Sequence, residues 1–560
     1  MKGNKIFATV LLPLILYQLG HANHNFCDYC ANQCDHGPNF HYWIVEEKEL
    51  SPDNYVQTGK VINGRFPGPT IRVFPHEYLV VKVENRLPVG LSIHWHGLHQ
   101  EHTLASDGAE MITQHEIQTN NTFTYCMHIG NQEGTYAYHA HSRLDIIWIH
   151  GALIIVDPPV LLANLLRLPD YTYQDERVII LEQLYHIPLS ELMDRLLVTG
   201  GPRPPTASLL INGKSYGKWS DAANNKFIDC GGYHVTKVLW GVTYRFRVMN
   251  LSSDKFLRFY ITNHKMRVIE ADGIYIDPIE VEYLNVHAAQ RYSVIVTMNQ
   301  AVGNYWMESK SIGQGTGPGN GAAILHYIGA SDPTPLRTQA RDATIEAIPM
   351  DEWVTSKIRP NLDLRQRSVY PVPESVDRNI YIDFHLKVIP PVSRFAINGH
   401  IFQDPDEPYL AQVRRNVNIT EEPQVFEILE GENIQVILQN RAGGFSSDCG
   451  EHPWHLHGRF FHVVAHGYDE FEEERDLPLI DKMVRESDKN FEFRDVFVQY
   501  PHQTVRNSST GVACGWYALR FKSNNPGIWL AHCHITQHMI LGKMVVIWEH
   551  SVANPTLIGE

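Results

Sequence analysis

Within Ala531-His532-Cys533-His534-Ile535-Thr536-Gln537-His538, one thiol and three imidazoles fall inside seven residues. On an extended strand successive side chains alternate faces, so His532 and His534 share one face and Cys533 takes the other. Such a strand can ligate metal on both sides, with its backbone as a short covalent path between the sites, an arrangement suited to moving electrons. With 31 His and 8 Cys in 560 residues, an H-C-H-x3-H pattern is expected about 0.001 times by chance. A bare H-x-H is expected roughly twice. Four are present: His94/His96, His139/His141, His455/His457 and His532/His534. The third belongs to His452-Pro453-Trp454-His455-Leu456-His457, a run expected about 0.1 times.

Imidazole suits copper, and thiolate softens a site toward it. A Cys with two His in a trigonal arrangement, usually with a weak axial ligand, makes a blue-copper electron-transfer centre. His538 lies just beyond Cys533, and His452 stands three residues before His455. That odd separation puts His452 opposite the His455/His457 face of a strand. Both motifs thus offer one face to a mononuclear site and the other to a cluster. The cluster face gathers His94, His96, His139, His141, His455, His457, His532 and His534. Eight imidazoles satisfy three coppers, six for a pair and two for a third. A structural zinc needs only four ligands, so this set overfills it, and satisfied core histidines do not explain the paired spacing.

The elements that position these groups are predicted to be short strands. At 560 residues the chain is too long for one core, and length alone suggests three or four domains. Aromatic and β-branched residues are frequent and long 3.6-period patterns are scarce, which favours strands joined by turns. A strand-rich unit from about Phe40 to Val156 surrounds the first two pairs and ends at Asp157-Pro158-Pro159. A second, from about Glu176 to Ile328, has no metal-like cluster, and a Pro-rich connector precedes a third that holds both remaining motifs. Val61-Ile62-Asn63-Gly64, Leu210-Ile211-Asn212-Gly213 and Ala396-Ile397-Asn398-Gly399 repeat an apolar pair before Asn-Gly, a tight-turn signal between strands. The expectation is an all-β chain with three β-sandwiches, over 23–157, 158–330 and 331–560.

Lys2 and Lys5 precede an apolar run from Ile6 to Leu19, and Gly20-His21-Ala22 suits cleavage after Ala22, so 1–22 is predicted to be a secretory signal. No later stretch approaches the roughly 20 apolar residues of a membrane span. Sequons at Asn120, Asn250, Asn418 and Asn507 fit a glycosylated, extracellular product. If Cys533 binds metal, Cys27, Cys30, Cys34, Cys126, Cys230, Cys449 and Cys514 remain, most of which should pair in an oxidising compartment. Connectivity is not readable from spacing; Cys449 with Cys514 is the one pairing put forward. The net charge of −15 argues against nucleic acid and anionic membranes as partners. Asp469-Glu470-Phe471-Glu472-Glu473-Glu474 is expected to be a solvated loop.

His94-Trp95-His96-Gly97, His139-Ala140-His141, His452 to Gly458 and the Cys533 run together resemble the multicopper oxidases of the laccase type. Asn63-Gly64-Arg65-Phe66-Pro67-Gly68-Pro69-Thr70, Asn525-Pro526-Gly527-Ile528-Trp529, Glu270-Ala271-Asp272-Gly273 and Gln290-Arg291-Tyr292 support the likeness. It covers nearly the whole chain after the signal region. The resemblance implies three cupredoxin-like Greek-key β-sandwich domains and four copper ions. His94 and His455 would hold type 2 copper, and His96, His139, His141, His457, His532 and His534 the type 3 pair. Cys533, His452 and His538 would hold type 1 copper. Substrate would give up single electrons near His452, and dioxygen would be reduced by four electrons to water.

Four positions depart from that pattern. Lys543 stands where the family carries Met, Leu or Phe ten residues after the type 1 Cys, and an ammonium cannot donate to copper. It is expected to swing outward and leave three ligands; a bulge at Gly542 that brings in Met544, or a crippled site, are the alternatives. Asp107 matches a family acid near type 2 copper and is the candidate proton relay, although Asp-Gly is also a turn signal. The second familial acid would sit at Thr536, leaving delivery to Asp107 and water. Ala137 and Arg459 replace a frequent Trp and His. The expected function is a secreted oxidase of diphenols or aromatic amines. A ferroxidase is the alternative, motivated by Glu451, Asp448 and the acidic run near His452; another is a copper-binding protein with little turnover.

Overall fold

The computed structural model describes residues 39–156, 169–201, 204–217, 232–312, 320–337, 358–360, 371–443, 449–488, 490–501 and 511–551. The signal segment, the Asp157-Pro158-Pro159 break, Cys27, Cys30, Cys34, Cys230, Asp448 and the Asn507 sequon lie outside the described residues. Strands dominate and form six sheets of four to seven strands. They pair into three sandwiches, each with its own apolar core: Trp43, Val81 and Ile93 in the first, Leu181, Phe246 and Leu257 in the second, Ile382, Val436 and Leu530 in the third.

The triplication is explicit in the hydrogen bonds. Each sandwich opens on a strand (Phe40–Leu50, Asp175–Leu184, Arg378–Ile389) that pairs antiparallel with the next and parallel with a later one. The Asn-Gly turns then repeat atom for atom. Asn63 accepts from Ile44 N–H through its side-chain oxygen and donates to Tyr42 O. Asn212 does the same with Ile180 and Val178, and Asn398 with Asp383 and Tyr381. All three Asn-Gly pairs have positive φ at both residues, the geometry of the two-residue turn that suits strand twist.

The acidic run is exposed, and Asp469 to Glu472 form a loop as expected. The acidic run enters a helix, Glu473–Glu486, with Glu473, Glu474 and Asp476 in its first turn, where the helix dipole favours negative charge. Ile480 and Val484 on its inner face pack against Ile437, Val464 and Trp516 on the outer surface of the third sandwich. Arg475 pairs with Asp469, Glu472 and Asp476, and Arg441 with Glu470. The run is a charge-compensated loop that leads into the helix.

A loop of the first sandwich packs into the core of the third. Leu104, Ala109 and Ile112 pack with Trp454, Leu456 and Leu530, which brings the two pairs of His-bearing strands face to face. The second sandwich braces this junction. Glu270 accepts from Thr135 N–H at 2.6 Å, Arg247 donates to the Thr135 hydroxyl at 2.9 Å, and Arg291 donates to Thr135 O at 3.1 Å. Thr135 lies on the strand Gly134–Ala140, which carries His139.

Candidate metal centre

Strand pairing sets the first half of the site. Ile93–His96 lies antiparallel to Gly134–Ala140 with His94 opposite His139. In the third sandwich, His452–Leu456 lies antiparallel to Gly527–Cys533, with His455 opposite His532 and Trp454 opposite Cys533. Four short strands therefore deliver every motif to one junction. Among the described residues, potential ligand atoms converge in groups, two of which share His96: His96, His139 and His534; His141, His457 and His532; His94, His96 and His455; and His452, Cys533 and His538. The alternation of faces thus separates Cys533 from its two neighbours. The second sandwich supplies no member of any group, as its sequence implies.

The imidazoles of the junction are buried and oriented. Nδ1 of His94 meets Asp107 O at 2.7 Å, that of His455 meets Asp495 O at 2.9 Å, and that of His139 meets Ala140 O at 3.0 Å. His532 Nδ1 meets Cys533 O at 3.1 Å, and His457 Nδ1 meets Asp107 Oδ2 at 2.8 Å. A neutral imidazole that donates from Nδ1 carries a bare lone pair on Nε2. Nε2 to Nε2 is 3.2 Å for His457–His532 and for His534–His139. Nε2 of His94, His141 and His455 and both ring nitrogens of His96 have no hydrogen-bond partner. Burial, reinforced by neighbouring rings, drives the pKa of His96, His139, His141, His455, His457 and His534 well below the ordinary value, and that of His532 to about 3. Buried ring nitrogens gathered without partners at one centre are costly unless cations sit among them. The donor set fits metal ions, and fits copper by its chemistry.

On the other face, Cys533 Sγ lies 3.6 Å from His538 Nδ1 and 3.9 Å from His452 Nδ1. His538 comes from the short helix Thr536–Ile540 that follows the strand. Burial pushes the Cys533 thiol up to about 11; coordination is what makes a thiolate there. Among the described residues Cys533 is the free cysteine. Cys449 and Cys514 form a disulfide, the pairing expected from sequence, and Cys126 is also disulfide-bonded.

Lys543 is where the structure departs most from expectation. Its side chain is fully buried, not outward, with Nζ 3.5 Å from the ring centre of Phe384, 4.9 Å from Phe395 and 5.6 Å from Trp454. The cause is register. His532 pairs with Met544, and Cys533 N–H donates to Lys543 O, so Lys543 shares the Cys533 face and Met544 the other. Burial pushes the ammonium well below its ordinary pKa, a Cys533 thiolate opposes that shift, and the three ring faces favour the cation.

Asp107 is both the turn former and the buried acid. It ends the short helical turn Leu104–Ser106, and Gly108 beside it has φ +82°, with Ile93 O where a Cβ would fall. Its Oδ2 accepts from His457, and Oδ1 lies 3.4 Å from His94 Nδ1 with no hydrogen bond of its own. Thr536 sits at the start of its helix with its N–H bonded to Ser253 O. Sequence reasoning missed a second acid, Asp495. It is buried, its Oδ1 lies 3.8 Å from His96 Nε2, and its carboxylate takes both Arg291 amino groups at 2.6 and 2.8 Å. Burial raises its pKa against the pull of Arg291. Asp495 stands outside every His motif; Gln290-Arg291-Tyr292, singled out for other reasons, was the only pointer to it. Near His452, Glu451 is half-buried, and burial raises its pKa. Ala137 is buried among Ala152, Ile154 and Met249, and Arg459 pairs with Glu549.

Comparison with known proteins fits this junction. Three sequence profiles, each described as multicopper oxidase, match residues 44–160, 175–330 and 395–552. The chain belongs to the multicopper oxidase family. It is laccase-like: Laccase-2 of Agaricus bisporus is 29% identical over 91% of this chain and 89% of its own length. The L-ascorbate oxidase of Cucumis sativus is as similar, at 30% identity over 91% and 89%. The crystal structure of laccase from Botrytis aclada superposes with a TM-score of 0.74 at 27% identity, covering 91% of this chain and 87% of that one.

Proposed function

We propose that the chain is a secreted laccase-like oxidase, with His94, His96, His139, His141, His452, His455, His457, His532, Cys533, His534 and His538 as its copper ligands. It oxidises diphenols or related aromatic amines one electron at a time and reduces dioxygen by four electrons to water. The observation that carries this is the strand Gly527–Cys533, which presents Cys533 to one ligand group while His532 and His534 join two others. Four bound copper ions would supply the one-electron chemistry, one ion at the Cys533 face and three among the eight imidazoles. The protein does the rest. His452 and His538 bracket Cys533, and two covalent peptide routes, to His532 and to His534, lead across the strand. Packing between the first and third sandwiches buries the imidazole junction away from bulk water. Asp107 holds His457 through Oδ2 and has Oδ1 available for a proton, one of the four that the reduction of dioxygen to water consumes.

The deciding experiment is oxygen uptake by the copper-loaded protein on a panel of phenols, aromatic amines, ascorbate and iron(II). Phenol or amine turnover well above the others is expected. Preference for ascorbate or iron(II) would replace the substrate class, and copper uptake without any substrate-dependent oxygen consumption would refute an oxidase. The compensated charges of the acidic run weigh against an iron site there; Glu451 is the acid next to His452.

Asp107→Asn is expected to slow oxygen reduction about 10²-fold, the scale of a lost proton donor, with copper content unchanged. Steady-state oxygen uptake alongside metal analysis checks this, and a loss of only a fewfold would remove Asp107 from proton delivery. Passage through a secretory pathway should leave glycans at Asn120 and Asn418, which are exposed. Asn250 is fully buried with its amide donating to Lys255 O and Val286 O, so that sequon is expected to stay bare. Glycopeptide mass spectrometry reads the three positions separately; a glycan on Asn250 would contradict the structure.

A further inference from the structure

We propose that Arg291, from the second sandwich, is a positioning residue for the imidazole junction: through Asp495 it fixes how the His455 and His96 rings stand against each other. The inference rests on the copper reading above. One residue from each sandwich meets at this point. Arg291 begins the strand Arg291–Thr297, and its Nη1 and Nη2 donate to the two carboxylate oxygens of Asp495, in the third sandwich, at 2.6 and 2.8 Å. Its Nε donates to Thr135 O of the first sandwich, on the strand that carries His139. Its own backbone is anchored twice on Asp272: Arg291 N–H donates to Asp272 Oδ1 at 2.7 Å, and Asp272 N–H to Arg291 O at 2.9 Å. Arg291 and Asp495 are both fully buried.

Asp495 is placed to pass that restraint on. It lies where the chain crosses from Glu492–Arg494, in one sheet of the third sandwich, to Val496–Gln499 in the other. Val496 is the ladder partner of His455. The Asp495 carbonyl accepts from His455 Nδ1 at 2.9 Å, while Oδ1 lies 3.8 Å from His96 Nε2. Those two rings come from different sandwiches and stack with centres 3.8 Å apart and planes inclined by 21°. The backbone and the side chain of one residue thus face one ring each. A carboxylate can rotate on its stem, and two parallel N–H···O bonds from a planar guanidinium stop it. Gly97, directly after His96, shows how closely the ion pair is seated. At its φ of +89° a Cβ would fall 2.7 Å from Asp495 Oδ2 and 2.8 Å from Arg291 Nη2. Groups behind a ligating imidazole fix its orientation, and their loss weakens metal binding or activity by about 10–100-fold. A sandwich without a copper ligand thereby sets how the other two present theirs.

The test uses the copper-loaded full chain. Arg291→Lys keeps the charge and loses the fork, so it cannot hold both Asp495 oxygens and Thr135 O together. The type 1 thiolate-to-copper band, and its bleaching by substrate without oxygen, should be unchanged, because Cys533 faces the other way. The type 2 paramagnetic resonance signal should change its hyperfine splitting and be lost to a chelator at least about tenfold faster, with reoxidation of the reduced protein by dioxygen slowed to a similar degree. A second variant, Arg291→Met with Asp495→Asn, leaves neither charge buried alone and should resist urea better than Arg291→Met. Its type 2 and reoxidation defects should nevertheless persist. Wild-type behaviour of the type 2 signal and of reoxidation in Arg291→Lys overturns the inference. So does recovery of both in the double variant along with stability, or loss of the type 1 band in step with the type 2 signal in both variants, the marks of a residue that only holds the fold. If the wild-type holoprotein shows no type 2 signal, the copper reading itself falls, and the inference with it.

Discussion

Cys533→Ser is expected to abolish the visible thiolate-to-copper band, remove one copper of the full complement, and cut substrate-driven oxygen uptake by at least about 10³-fold, equivalent to some 4 kcal/mol. Cys533 is fully buried between His452 and His538, and it is the one soft donor at the junction. A serine hydroxyl stays protonated there and offers a hard oxygen in place of a polarisable thiolate, so both affinity for copper and passage of the electron into the strand fail together. The eight imidazoles lie on other faces, and His94, His139, His455 and His457 keep their backbone and Asp107 contacts. Copper analysis should therefore show the loss of one ion, and the variant should fold. Retention of oxygen uptake within tenfold of wild type would remove Cys533 from the electron path.

Arg494→Met is expected to destabilise the protein by about 3–5 kcal/mol, the cost of leaving a buried charge without its partner. Arg494 belongs to the third sandwich and is fully buried; its Nε donates to Asp272 Oδ2 of the second at 2.7 Å, and Nη1 reaches Glu492 and the Tyr292 hydroxyl. Asp272 is equally buried and would retain Arg291, 3.4 Å away, as its charged neighbour. The pair joins two sandwiches directly beside Asp495, so its loss loosens the support of His96 and His455 as well. Adding Asp272→Asn to Arg494→Met should recover part of the loss, because Asn is uncharged and tolerates the positive φ of that turn. Urea denaturation of both variants measures this. A single variant within about 1 kcal/mol of wild type would mean that surface-like solvation already screens the pair.

The folding pattern was legible wherever a short local signal carries its own geometry. The Asn-Gly turns are an example: the positive φ values and the side-chain bonds to the opening strand recur in all three sandwiches. The acidic run at 469–474 is exposed as expected, but its composition conceals the helix that begins at Glu473 and packs Ile480 and Val484 on a neighbouring sheet. Asn250 satisfies the sequon rule, but its amide is consumed inside the second sandwich. Asp495 carries no local mark, since its partners Arg291 and His96 are 204 and 399 positions away in the chain.

What the sequence by itself determined is the donor inventory and its sidedness. A strand alternates faces because of backbone stereochemistry, so His532 and His534 had to part from Cys533 wherever the strand packed. What only the tertiary structure decided is which imidazoles meet, which acids stand beside them, and where Lys543 goes. Those depend on strand register between distant segments and on the joining of the first and third sandwiches. A lysine read as outward from its charge is held inward because the ladder places it opposite Cys533 and three aromatic faces receive it.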